Sequence, residues 1–141
     1  MKNTLNNTVL AGLVALGAVA AAPGAALAAS AIATTDVNLR SGPSTYYPAV
    51  DVVQGGDRVR VYGCLSNRSW CDVSYLGERG WMSSNYLAYA YEGRRVRGPE
   101  VVRIVRAPVV SFSIGTYWDH HYDDESFYED RWRWRRDLEE D

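Results

Sequence analysis

Between residues 33 and 90 the sequence carries no sustained helical stripe and is interrupted at short intervals by glycine, proline, serine or asparagine. Apolar and polar residues alternate there in short runs. They include Thr35-Asp36-Val37-Asn38-Leu39, Ala49-Val50-Asp51-Val52-Val53, Asp57-Arg58-Val59-Arg60-Val61-Tyr62 and Trp70-Cys71-Asp72-Val73-Ser74-Tyr75, with a last short run at Trp81-Met82. A period of two sends successive side chains to opposite faces, which predicts half-buried strands. Arg40-Ser41-Gly42-Pro43-Ser44, Gly55-Gly56, Ser66-Asn67-Arg68-Ser69 and Gly77-Glu78-Arg79-Gly80 read as the turns between them. Ser83-Ser84-Asn85-Tyr86-Leu87 reads as a single helical turn closing the unit. Many short strands without long helices predict an all-β fold, a small barrel of about five strands.

Within this region Asn38-Leu39-Arg40-Ser41-Gly42-Pro43-Ser44 resembles the N-L-R-x-G-P-S opening of bacterial SH3 (SH3b) domains. Gly55, the Val59/Val61 strand, Trp70-x-x-Val73, Gly80-Trp81 and Tyr86-Leu87 follow in the order that family shows. The resemblance implies an SH3-like barrel over residues 33–90 and a binding module rather than an enzyme. SH3b domains often accompany cell-wall peptidases and amidases, so the implied ligand is a cell-wall peptide or glycopeptide, or a peptide of an envelope protein.

The N-terminus reads as an export signal. Lys2 is followed by an apolar stretch from Val9 to Ala20, a Pro23-Gly24 break, and the small residues of Ala26-Leu27-Ala28. The dense apolar run is shorter than the roughly 20 residues of a spanning helix. Residues 1–28 are therefore expected to be a signal peptide and 29–32 the start of the mature chain. The location is periplasmic or secreted, with membrane contact only through the signal peptide before cleavage. A net charge of -2 gives no global indication of a nucleic-acid partner.

Cys64 and Cys71 flank the hairpin tip. If Leu65 pairs with Trp70, the two cysteines lie directly opposite, and an even cysteine count in an exported chain reads as a bridge. Simple pairing nevertheless puts Cys71 and Val73 on the face of Tyr62 and Cys64, opposite Val59 and Val61. Either both faces are partly buried or a bulge near Gly63 corrects the register.

Residues 91–106 read as an arginine-rich linker and 107–141 as an aromatic, charged and largely irregular tail. A short strand is expected over 109–114, where Val110, Phe112 and Ile114 share a face. The tail resembles the Tyr-Trp-Asp-x-His-Tyr tails that follow SH3b domains in some proteobacterial envelope proteins, a resemblance that implies no activity. Its Arg131-Trp132-Arg133-Trp134 run suits an anionic surface or a protein partner, but acids surround it and favour pairing within the tail. His120, His121 and Asp119 are the weak metal candidates. Adjacent histidines diverge on either a strand or a helix, so no metal is expected.

No catalytic constellation stands out, since the chain has no Gly-x-Ser-x-Gly elbow, phosphate loop or His-Glu-x-x-His helix. No enzyme activity and no cofactor are expected. The ligand-binding candidates are Trp70, Tyr46, Tyr47, Arg40 and Trp81, with Trp81 and Tyr86 reading equally as core or closure residues. The alternative is an interaction protein whose tail engages a partner.

Overall fold

The computed structural model describes residues 29–136, together with Gly12 and Gly17. The remainder of the expected signal peptide lies outside the described residues, as do residues 137–141. Eight strands form one antiparallel sheet in the order β3-β2-β6-β5-β4-β1-β7-β8, left open between its edges β3 and β8. They are β1 (Ala29–Ala33), β2 (Val37–Arg40), β3 (Ala49–Val53), β4 (Arg58–Cys64), β5 (Trp70–Tyr75), β6 (Glu78–Ser83), β7 (Leu87–Tyr91) and β8 (Arg94–Arg97). A 3-10 turn, Ser84–Tyr86, joins β6 to β7.

Alternation along β4 sends Val59 and Val61 inward and Arg58 and Arg60 outward. Leu39, Val53, Val73, Met82 and Leu87 meet them in the core. Between Val61 and Gly63 the β4–β5 register shifts. Val61 pairs with Val73, Gly63 with Asp72 and Cys64 with Cys71, leaving Tyr62 as the extra residue of a bulge. The bulge turns both cysteines into the core beside Val59 and Val61, where they form a disulfide. Leu65 N–H donates to Trp70 O at 2.9 Å at the hairpin end. Closing so short a loop stabilises the fold by about 2.5 kcal/mol in the chain-entropy model.

Three regions are more ordered than expected. Residues 29–32 belong to β1, which lies between β4 and β7. Its Ala31 and Ala33 are fully buried, but alanines carry too little apolar bulk to mark a strand in sequence. The arginine-rich linker contains β8 and the helix α1 (Glu100–Ile104), whose Val101 and Val102 enter the core. The β7–β8 hairpin turns at Glu92-Gly93, both left-handed at φ 48° and 74°, as a two-residue turn of the hairpin type requires.

The tail is the largest difference. The expected strand over 109–114 reduces to one parallel bridge between Cys64 and Val109. Cys64 N–H donates to Pro108 O and Val110 N–H to Cys64 O, both at 2.9 Å. Gly63 permits this approach, because a Cβ there would collide with Val110 and lie 2.9 Å from Pro108 O. The segment then forms α2 (Ile114–His121), a 3-10 turn (Tyr128–Asp130) and α3 (Arg131–Arg136). Ile114, Trp118 and Tyr122 recur every four residues, so they share one helical stripe, and all three are buried.

Candidate binding groove and the face closed by the tail

The residues expected to contact ligand divide between two faces. On the first, Tyr47 and Trp81 lie beneath the tail and are buried. Phe112 sits edge-on to both, with ring centroids 5.3 Å from Tyr47 and 5.6 Å from Trp81. Tyr117 lies 5.7 Å from Trp81, and Trp134 lies 4.9 Å from Tyr46. Trp118 Nε1 donates to Ser41 O at 2.9 Å, and Trp81 Nε1 finds no acceptor among the described residues. Tyr47 and Trp81 are therefore packing residues. Tyr47, read in sequence as a ligand contact, and Trp81, read as either a ligand contact or a core residue, are both covered by the chain's own tail. Arg40 holds its own loop, with Nη1 donating to Tyr47 O at 2.9 Å and Thr45 O at 3.1 Å.

A polar clamp fixes α2 to the sheet. Arg79 donates from Nε to Asp72 Oδ1 at 2.7 Å and from Nη2 to Oδ2 at 2.8 Å, and its guanidinium lies 3.6 Å over the Tyr62 ring. Tyr117 O–H donates to Asp72 Oδ1 at 2.7 Å and Tyr122 O–H to Arg79 O at 2.6 Å. Burial, reinforced by the Asp72 charge, pushes the Tyr117 phenol well above its ordinary range, and burial raises Tyr122 as well. Tyr47 is pushed up to about 12, chiefly by burial. His121 is lowered by burial first and by Arg79 next, so its imidazole favours the neutral form.

The tail candidates face inward or pair locally. Trp134 packs against Tyr46, Tyr47 and Trp118. Arg131 lies over the Tyr128 ring at 4.1 Å, and Arg133 Nε is 3.8 Å from Asp130. Trp132 is half-exposed beneath the Arg133 guanidinium. The metal candidates do not converge. His120 Nδ1 is 2.7 Å from Thr116 O, the two histidine rings are 6.3 Å apart, and Asp119 accepts from Tyr128 O–H at 2.5 Å. Among the described residues no group of three His, Cys, Asp or Glu is placed to hold a metal ion.

The second face is open. A groove of about 530 Å³ runs between β2, the start of β5 and the 3-10 turn, lined by Asp36, Asn38, Arg40, Trp70, Asn85 and Tyr86 among others. The pairing of Trp70 with Ser83 sets the indole beside the 3-10 turn. Ser84 anchors that turn to the hairpin tip, with its N–H donating to Ser69 O at 2.9 Å and its hydroxyl to Arg68 O. Two aromatic rings with amide and carboxylate groups around them can stack on flat or sugar-like faces and hydrogen-bond the polar rim of a ligand.

Residues 35–88 match the family model described as bacterial SH3 domain. The chain carries a bacterial SH3 domain. No curated protein matches the chain. The match confirms the SH3-like all-β reading and marks a binding module. It takes in the Trp70 groove and stops short of β8, α1 and the tail, so the cover over Tyr47 and Trp81 is an addition to the SH3 domain. Asn38 and Asn85 of the groove were missed in sequence. The available signal was a cluster of exposable polar residues, Ser83-Ser84-Asn85, directly before an aromatic. Among the described residues no helix is long and apolar enough to cross a membrane.

Proposed function

We propose that the SH3 domain is a non-catalytic envelope module that binds a cell-wall peptide or glycopeptide in the groove between Trp70 and Tyr86. The observation that carries this reading is the division of the aromatic residues. The tail covers Tyr47 and Trp81, while Trp70 and Tyr86 line an open groove with Asn38, Asp36 and Asn85. Indole and phenol rings stack on the apolar faces of sugars, and the amides suit N-acetyl and peptide groups. The periplasmic or secreted setting rests on the signal-like sequence of residues 1–28.

The test is co-sedimentation of residues 29–141, in oxidised form, with purified peptidoglycan sacculi. The protein is expected to pellet, and Trp70→Ala to weaken pelleting by roughly 30-fold, the loss typical of truncating a central aromatic anchor. Tyr86→Ala, at a half-exposed position, is expected to weaken it in the same direction without unfolding the domain. Failure of the unmodified protein to pellet at tens of micromolar would remove the peptidoglycan reading.

A further inference from the structure

The outer side of the sheet is closed by α2 where Asp72, Arg79 and Trp81 lie, with His121 at its margin, and it continues past α2 to strands whose arginines are exposed. Directly paired residues of antiparallel strands point to the same side, so the register places two rows of side chains there. One row runs Arg97, Ala88, Ile32, Arg58 across β8, β7, β1 and β4. The next contains Ser30, Arg60, Ser74 and Arg79 across β1, β4, β5 and β6, and Arg95 lies two residues from Arg97 on the same side of β8. Five arginines thus share one outer face. Arg79 is engaged by Asp72, whereas among the described residues Arg58, Arg60, Arg95 and Arg97 have no carboxylate within ion-pair distance. Asp57, adjacent to Arg58 in sequence, accepts instead from Tyr75 O–H at 2.6 Å, and Glu100, three residues from Arg97, pairs with Arg103.

Beside this face, at the tip of the β5–β6 hairpin, Leu76 lines the same hollow as Arg58, Arg60 and Arg79, which has a volume of about 640 Å³. Leu76 is 86% exposed and held at φ 48°. A left-handed turn position favours glycine or asparagine, and a bulky aliphatic there is strained as well as unburied. Neither the turn nor the core accounts for a leucine. We infer that this arginine face, tipped by Leu76, is a docking surface for an anionic lipid bilayer. Phosphate headgroups complement the unpaired guanidiniums, and the leucine enters the acyl boundary, the two contributions that peripheral binding combines. A soluble polyanion would satisfy the arginines but give the exposed leucine no burial, which is why the lipid surface fits better. The Arg-Trp run of the tail takes no part, because its side chains pack or pair locally.

Flotation of residues 29–141, which contain both cores, with phosphatidylglycerol and with phosphatidylcholine vesicles tests the inference. Binding is expected only to phosphatidylglycerol and should weaken as salt rises. The Arg58→Gln/Arg60→Gln pair should lower partitioning about 30-fold, at roughly fivefold for each charge. Leu76→Asn should lower it about tenfold, from lost apolar burial. Asparagine tolerates the left-handed turn, so the melting temperature should hold or rise, which separates lost binding from lost folding. Trp70→Ala should float like the unmodified chain, so this surface and the groove fail independently. The inference is overturned by absence of flotation with phosphatidylglycerol at low salt. It is equally overturned by arginine-dependent binding that is indifferent to Leu76→Asn, the signature of a polyanion surface.

Discussion

Tyr47, Tyr117 and Tyr122 are three of ten tyrosines that nothing in the local sequence distinguishes, yet packing sets them apart. Burial favours their neutral phenols, so each ionises in the unfolded chain near its ordinary value of 10 before it does so in the fold. Stability from these residues is therefore intact below pH 10 and falls as pH climbs from there through about 12, the value for Tyr47. An alkaline titration followed by phenolate absorbance should show two phases, the second coinciding with loss of near-ultraviolet dichroism. One smooth phase near 10 with tertiary signal intact would show that these rings are not held as described. At this scale the sequence revealed covalent and turn chemistry well. Counting residues along two strands pairs Cys64 with Cys71 and leaves either burial of both faces or a bulge near Gly63, and the structure has the bulge. Burial of Trp81 was among the sequence readings, whereas burial of Tyr47 was not legible, because it depends on Phe112 and Trp134, far along the chain.

Among the elements, α2 carries the attachment of the tail. Its Trp118 is fully buried, donates to Ser41 O, and touches Phe127 and Trp134. Trp118→Ala should cost about 3–5 kcal/mol in urea denaturation, the usual range for removing a buried aromatic. Trp132→Ala, at a half-exposed position, should cost less than about 0.5 kcal/mol. Equal and small losses at the two positions would mean that the tail does not pack on the sheet. The Ile114/Trp118/Tyr122 repeat was present in the sequence, but its first member also completed an apolar alternation with Val110 and Phe112. That alternation did identify the inward face: Val110 covers Gly63, Phe112 meets Tyr47, and Ile114 is buried. What it could not convey is that a backbone bridged only at Cys64 and Val109 continues into a helix rather than a strand. The alanines of β1 illustrate the same limit, since only their neighbours β4 and β7 make them a core strand.

At the scale of the whole molecule, the fold extends beyond its recognisable family segment. Residues 35–88 carry the SH3 signature, while β1 precedes it and β8, α1, α2 and α3 follow it. The added elements cover one aromatic face and leave two surfaces of different chemistry, the Trp70–Tyr86 groove and the arginine face. A net charge of -2 conceals the second, because the acidic residues concentrate in the tail while arginines line the outer strands. The all-β class and the positions of β2 to β6 along the chain were legible from period and turns. The choice of binding face was not, since it required knowing where the tail lies. The central claim, that ligand enters the groove and the tail stays in place, is tested most directly by backbone amide and indole NMR shifts during titration with soluble peptidoglycan fragments. Shifts confined to Asn38, Trp70, Asn85 and Tyr86, with Phe112 and Trp118 unmoved, are the predicted result. Shifts centred on Tyr47, Trp81 and Phe112, with release of α2, would contradict it.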